Sequence, residues 1–149
     1  MFTTRSRTTP EPVTDLPHAS VDVLEALREV ALVLFAIGSS RTAGPAQSLA
    51  RHARVLDRLD SFRSVRTALL IGGPSPSATI AELRTPIFIV PMMMCTGWIW
   101  STQIPNALGL TATCTTNATP SIHLCDPVGQ RADLAGLLEA RGRAAAKRH

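Results

Sequence analysis

The chain has 149 residues, of which 45% are hydrophobic and 17% are charged, and its formal net charge is +4 at pH 7. This length suits one domain with a hydrophobic core, and no apolar run reaches the roughly 18 residues of a membrane span. The arginines near the N-terminus are not followed by the apolar segment of a secretory signal. We therefore expect a soluble, cytoplasmic protein, with a flexible extension over 1–18 and one domain with a basic tail over 19–149.

The composition also limits the partners and the redox chemistry. With four Phe, two Trp and no Tyr, and with much of the positive charge in the tails, the chain offers little for stacking on bases. We expect no nucleic-acid partner and no membrane partner. Cys95, Cys114 and Cys125 form an odd set without a C-x-x-C pair, which argues against a disulfide framework and a structural zinc site. Buried thiols are the simpler interpretation.

Apolar runs alternate with segments of helical spacing along the chain. The four predicted strands cover residues 29–35, 64–73, 86–94 and 121–129. Helices are predicted before the first strand, over 21–28 with Ser20 as the cap, and after it, over 45–59; a short helix opened by Ser77 or Thr79 follows the second strand. After the third strand the patterns predict a short helix over 101–110 and a loop over 111–120, and after the fourth a closing helix marked by Leu134, Leu137 and Leu138.

This alternation predicts an α/β fold with about four parallel strands and helices on both faces of the sheet. Pro91 has no ladder donor, so the third strand must bulge or end near it. Ligands of such sheets bind outside the carboxyl ends of the strands. The loops of interest are therefore 36–44, 71–77, 94–101 and 126–132, and none carries a dinucleotide or P-loop fingerprint.

Four segments carry a resemblance to a known family: FAIGSSR (35–41), LLIGGPS (69–75), IFIVPMMMCTGWIWSTQIP (87–105) and IHLCDPVG (122–129). In this order they resemble the small sirohydrochlorin metal chelatases, which include the short cobaltochelatases of the anaerobic cobalamin route and nickel- and iron-inserting relatives. The resemblance implies a lyase, usually a homodimer, that holds sirohydrochlorin at the carboxyl ends of the strands. Co²⁺, Ni²⁺ or Fe²⁺ would be a substrate.

The sequence departs from this family at the groups that handle the metal. Family members have a histidine in a G-H-G-S loop after strand one, a second about eight residues beyond the V-P of strand three, and often a carboxylate ending strand two. Ile37, Ile99 and, approximately, Ile71 occupy these places. Because isoleucine neither ligates a cation nor moves a proton, the resemblance implies that metal insertion is weak or lost. We predict no catalytic residue and no metal ligand.

Other donors do not replace these histidines. Met92, Met93 and Met94 alternate between the faces of a strand, and soft sulfur suits cobalt, nickel or ferrous ions poorly, so we interpret them as core residues. His52 falls among arginines on a helix, and His123 lies inside the last strand.

Several residues at the strand ends retain ligand-binding character. Small-residue loops offer backbone amides to a carboxylate, arginines pair with carboxylates, and tryptophans offer flat surfaces to a macrocycle. We predict that the ligand-binding residues are Gly38, Ser39, Ser40, Arg41, Cys95, Thr96, Gly97, Trp98, Trp100 and Arg131. Solvated surface arginines, and a core or dimer contact for the tryptophans, remain alternatives.

Three functions are compatible with this pattern. The first, which the pattern favours, is a protein that binds a tetrapyrrole or similar acid-rimmed ligand and inserts metal weakly or not at all. The second is an enzyme of the same fold acting on another substrate. The third is a non-catalytic partner of an active chelatase, with the apolar loop around Trp98 and Trp100 as its interface.

Overall fold

The computed structural model describes residues 21–110 and 120–147. The predicted extension over 1–18, the Ser20 cap and Cys114 lie outside the described residues. The elements of the described part are α1 (Val21–Leu27), β1 (Ala31–Gly38), α2 (Gly44–Arg58), β2 (Ser64–Ile71), α3 (Pro76–Ala81), β3 (Ile87–Pro91), a π-helix (Ile99–Gln103), α4 (Ile104–Leu108), β4 (Ile122–Leu124), a 3₁₀ turn (Val128–Gln130) and α5 (Leu134–Ala146).

The four strands form one parallel sheet in the order β2-β1-β3-β4. The predicted α/β fold with four parallel strands is therefore confirmed. β1 lies between two neighbours, and every residue from Ala31 to Phe35 is buried. This position accounts for its nearly continuous Val and Leu content, because a strand covered on both faces has no polar side.

Side chains of successive strand residues point to opposite faces of the sheet, and each face has its own core. One core contains Val33 and Phe35 of β1 and is covered by α3, α4 and the π-helix, which contributes Ile99 and Trp100. The other contains Leu32 and is covered by α2. Helices lie on both faces, as predicted.

The start of α3 differs from the prediction. Its cap is Ser75, whose Oγ accepts a hydrogen bond from the Ala78 amide at 3.3 Å, and not Ser77 or Thr79. Pro76 then occupies the first helical position, where a missing N–H costs nothing. The Thr79 hydroxyl donates to the Ser75 carbonyl oxygen at 3.0 Å, so this side chain closes the first turn and does not open it.

The segment after β3 also differs from the prediction. The strand ends at Pro91, as the missing ladder donor predicts. The sequence predicts a loop over 94–101 and a helix over 101–110, whereas residues 99–103 form a π-helix, in which the Ile104 amide donates to the Ile99 carbonyl oxygen. The wider turn continues into α4, which ends at Gly109 in the left-handed conformation, with φ at 67°.

The C-terminal elements are shorter or more exposed than the sequence indicates. β4 has only three residues, since Pro127 and the 3₁₀ turn follow soon after Leu124. α5 forms where the leucines predict a helix, but it buries no residue. Across residues 21–110 and 120–147, no helix combines the length and apolar character needed to cross a bilayer.

Replacing Ile89 by Ala should lower the free energy of unfolding by about 2–5 kcal/mol, because this wholly buried side chain would leave a cavity in the core. The same substitution at Ile71, which is 44% exposed, should cost less than about 1 kcal/mol. Urea unfolding followed by circular dichroism measures both values. Equal losses in the two variants would contradict this assignment of the core.

Candidate functional site

An open depression of about 440 Å³ lies at the carboxyl end of β2, facing the helical segment that follows β3. Its lining combines three apolar side chains with three neutral polar ones: Leu70, Ile71, Trp98, Thr102, Gln103 and Asn106. It occupies the edge of the sheet where parallel α/β folds bind ligands. We take it as the candidate site.

Two glycines hold the loops after β1 and β2 against each other. Gly38 pairs with Ile71 at the ends of these strands, and a Cβ at Gly38 would overlap the Ile71 carbonyl oxygen. A Cβ at Gly72 would likewise overlap the Ser39 carbonyl oxygen. Both glycines have positive φ, 80° and 74°, a conformation that other residues adopt only with strain. The backbone beside the depression is therefore closely packed.

The helical wall of the depression is amphipathic. Trp98, Thr102 and Asn106 recur every four residues and line the depression, and Trp98 is 65% exposed. Trp100 and Ile104, offset by two residues, pack in the core beneath. Thr102, Gln103 and Asn106 were missing from the sequence prediction. The sequence feature that could have predicted them is this spacing of four, because it places one residue per turn on the side of the helix away from the core.

The three isoleucines stand in different surroundings. Ile71 lines the depression. Ile37 is half-buried, and the register of β1 and β2 places it opposite Leu70, on the same face of the sheet. Ile99 is half-buried and packs against the core. Neither Ile37 nor Ile99 is among the lining residues. Of the three isoleucines, Ile71 is therefore the one whose side chain lines the depression.

The loop after β1 uses some of its own amides. The Ser39 Oγ accepts hydrogen bonds from the amides of Arg41 at 3.1 Å and Thr42 at 3.3 Å. These two amides are thus engaged within the loop. Ser40 and Arg41 are exposed, and the contact between Ser39 and Gly72 brings this loop next to Ile71.

The predicted ligand-binding residues of the loop after β3 lie in different surroundings. Cys95, Thr96 and Gly97 are exposed ahead of Trp98. Trp100 is half-buried against the core, and its Nε1 atom is buried without a hydrogen-bond partner in the part of the chain that the structure describes. Of the predicted residues in this loop, Trp98 is the one that lines the depression.

Arg131 lies in a second cavity, of about 290 Å³, at the start of α5. Its guanidinium donates to both carboxylate oxygens of Asp133, at 2.9 and 3.1 Å. This hydrogen bonding lowers the pKa of Asp133 and raises that of Arg131. The structure thus places Arg131 away from the lining of the first depression and gives its charge a partner within the chain.

The remaining donors are dispersed. Met92 and Met93 pack on opposite faces of the sheet, as strand alternation predicts, whereas Met94 is exposed and is not a core residue. The prediction of core packing is wrong for Met94, which lies beyond the backbone hydrogen bonds that the Met92 amide donates to Phe35 and the Met93 carbonyl oxygen accepts from Gly129. His52 is exposed on α2 and lines a hollow of about 260 Å³ on the opposite face of the sheet. Within the described ranges, no group of three or more His, Cys, Asp or Glu side chains could hold a metal ion.

Comparisons with known proteins agree with this fold. The sequence model of the CbiX family, a sirohydrochlorin chelatase family, matches residues 31–145. A solved multi-domain protein of Deinococcus radiodurans, described as structurally similar to chelatases and as carrying two additional novel domains, aligns with a TM-score of 0.68 at 18% identity. The alignment covers 78% of this chain and 29% of that one. No curated protein sequence matches the chain.

Cys95 should react with iodoacetamide faster than Cys125 at about pH 8, because a thiol reacts as its thiolate. Cys95 is exposed, whereas Cys125 is half-buried, and burial first and the charge of Asp126 second raise the pKa of the Cys125 thiol. Fewer Cys125 thiols are therefore ionised at this pH. Mass spectrometry of timed digests measures the alkylation rate of each cysteine. Raising the pH should reduce the difference between the two rates, because a larger fraction of Cys125 is then ionised. Equal rates at about pH 8 would contradict the assigned burial.

Proposed function

Since this chain belongs to the CbiX family of sirohydrochlorin chelatases, we propose that it binds a tetrapyrrole or a similar acid-rimmed ligand and inserts metal weakly or not at all. The observation that carries the proposal is the lining of the depression. It offers hydrocarbon, one exposed indole and neutral polar groups, with Ile71 approximately where the family resemblance implies a carboxylate.

The shape and polarity of the depression suit the face of a flat, apolar ring system. Its volume of about 440 Å³ falls within the range of about 300–1,000 Å³ of small-molecule pockets. Trp98 presents a large exposed surface beside Leu70 and Ile71. Burying a ring against these side chains would remove apolar surface from water on both partners, which is the main favourable contribution in such sites.

The polar rim suits carboxylates at the edge of the ligand. The amide groups of Gln103 and Asn106 and the hydroxyl of Thr102 can all donate hydrogen bonds. Arg41 is exposed and belongs to the loop after β1. This loop contacts Gly72, which follows directly after the lining residue Ile71. A guanidinium can bind a carboxylate through two parallel hydrogen bonds, so we assign Arg41 the role of a charged anchor.

The same lining is unsuited to moving a metal into the ring. Insertion requires a group that receives the cation and a base that accepts pyrrole protons, and neutral imidazole serves both purposes near pH 7. Thr, Gln and Asn side chains are not bases at this pH, and Ile71 offers only hydrocarbon. A divalent cation there would lose hydration without receiving a charged ligand in return, at a cost of several kcal/mol or more.

Trp98→Ala should weaken the binding of sirohydrochlorin by about tenfold, because stacking and the apolar area of an indole contribute on the order of 1 kcal/mol or more. The exposed position of Trp98 means that the variant should keep its fold. Calorimetric titration of the wild-type chain and the variant measures both affinities, and Val23→Ala, an exposed residue of α1, is the control. If the wild-type chain does not bind sirohydrochlorin, the proposed ligand is wrong. If the variant binds as tightly as the wild-type chain, the proposed position of the binding site is wrong.

The wild-type chain should not accelerate insertion of Co²⁺ into sirohydrochlorin, whereas Ile71→His, which places an imidazole in the lining of the depression, should raise the rate by about a hundredfold or more, in the range of general acid–base effects. Absorption spectra of the macrocycle follow the reaction. The matched control is Ile71→Asn, which makes the same position polar without supplying a base. Rapid insertion by the wild-type chain would contradict the proposed loss of activity.

A further inference from the structure

The polar residues that line the depression are uncharged. Thr102, Gln103 and Asn106 supply its polar groups, and the remaining lining residues are apolar. Gln103 is half-buried and Asn106 is exposed. Within residues 21–110 and 120–147, the side-chain amides of Gln103 and Asn106 make no hydrogen bond to another residue. Both amides are therefore available to a ligand in the depression.

The two amides lie close enough together to act on one edge of a ligand. Gln103 ends the π-helix, and Asn106 belongs to α4, which continues directly from it. Side chains three residues apart on a helix lie on the same side, with about 5–6 Å between their Cβ atoms. Each amide has an NH₂ group that donates and a carbonyl oxygen that accepts. The pair thus presents donors and acceptors side by side to the edge of a ring that enters the depression.

A carboxylate and a primary carboxamide meet these groups differently. A carboxylate only accepts hydrogen bonds, so its oxygens can use the NH₂ groups of Gln103 and Asn106 but face the two amide oxygens without a donor. A primary carboxamide both donates and accepts. It can form two parallel hydrogen bonds with the side chain of Gln103 or Asn106, one in each direction. The lining therefore matches a carboxamide at both kinds of atom.

The charges around the depression favour the same group. Moving an ionised carboxylate out of water is costly unless a cation pairs with it, and the lining residues are all uncharged. Arg131 is held by Asp133 in another cavity. Arg41 is exposed on the loop after β1, outside the lining. A neutral group is therefore favoured inside the depression, whereas a carboxylate finds its cation outside it.

We propose that the ligand is a flat ring with a mixed rim, in which the edge bound in the depression carries primary carboxamides and a carboxylate on another edge pairs with Arg41. This inference rests on the proposed function, since it assigns the rim groups of the same ligand. Gln103 and Asn106 are the residues that determine specificity. The ligand class is then a partly amidated macrocycle, and the fully acidic ring binds at the same place more weakly.

The first test compares two probes, coproporphyrin and the same ring with every carboxylate converted to a primary carboxamide. Calorimetric titration of the wild-type chain should show about tenfold tighter binding of the amide form, because the amide form makes hydrogen bonds that the acid form lacks. Pairing of the acid form with the exposed Arg41 contributes less than this. Equal affinities, or tighter binding of the acid form, would overturn the inference.

Gln103→Met with Asn106→Leu nearly keeps the size of the two side chains and removes their hydrogen-bonding groups. We expect this variant to bind the amide form about tenfold more weakly and to lose the preference. The matched control, Gln47→Met with Gln130→Met, removes two exposed amides outside the depression and should keep the preference. Circular dichroism verifies the fold of each variant. A preference that persists without the two lining amides would show general partitioning of a neutral ring onto the protein, and the inference would be wrong.

Asn106→Lys supplies the cation that the lining lacks, so this variant should bind the acid form more tightly than the amide form. Tighter binding of the amide form by this variant would count against the assigned role of Asn106. The outcomes also separate this inference from the proposed function. If neither sirohydrochlorin nor either form of coproporphyrin binds, the proposed function fails, and this inference fails with it. If the rings bind without the preference, only the assignment of the rim is wrong.

Discussion

Burial of β1 on both of its faces is the constraint on which the rest of the structure depends. The strand is buried from Ala31 to Phe35, and its alternate side chains belong to two different cores. A strand of this kind requires a neighbour on each side and a helical layer above and below. Parallel connections then bring the ends of β2, β1 and β3 to one edge of the sheet, and the depression forms at that edge.

The chemistry of this edge is that of a chelatase fold with a lining of hydrocarbon and neutral polar groups. Gly38 and Gly72 fix the two loops closely together, while the helical segment after β3 turns Trp98 outward and Trp100 inward. The result is an exposed surface of apolar and neutral polar groups. The proposed binding of an acid-rimmed ring requires only donors and apolar area, so it does not depend on the bases that metal insertion requires.

The face of the sheet that α2 covers carries the smaller of the two cores. α2 covers part of one face, and the apolar side chains of β3 on that face are left half-buried. Leu137 and Leu138 of α5 are exposed, and no residue of this helix is buried.

The sequence by itself determined the α/β class, the four parallel strands and a bulge or end of β3 near Pro91, because period, composition and a missing donor act locally. It also predicted Trp98 as a ligand-binding residue, and the structure places Trp98 in the lining of the depression. Only the tertiary structure decided that Thr102, Gln103 and Asn106 face the depression, that Arg131 binds Asp133 in another cavity, and that Ile99 packs inward. The physical reason is that the partners of a side chain depend on which elements meet in space. Local patterns specify the elements. They do not specify how a π-helical turn rotates the side chains that follow it or which surfaces remain uncovered.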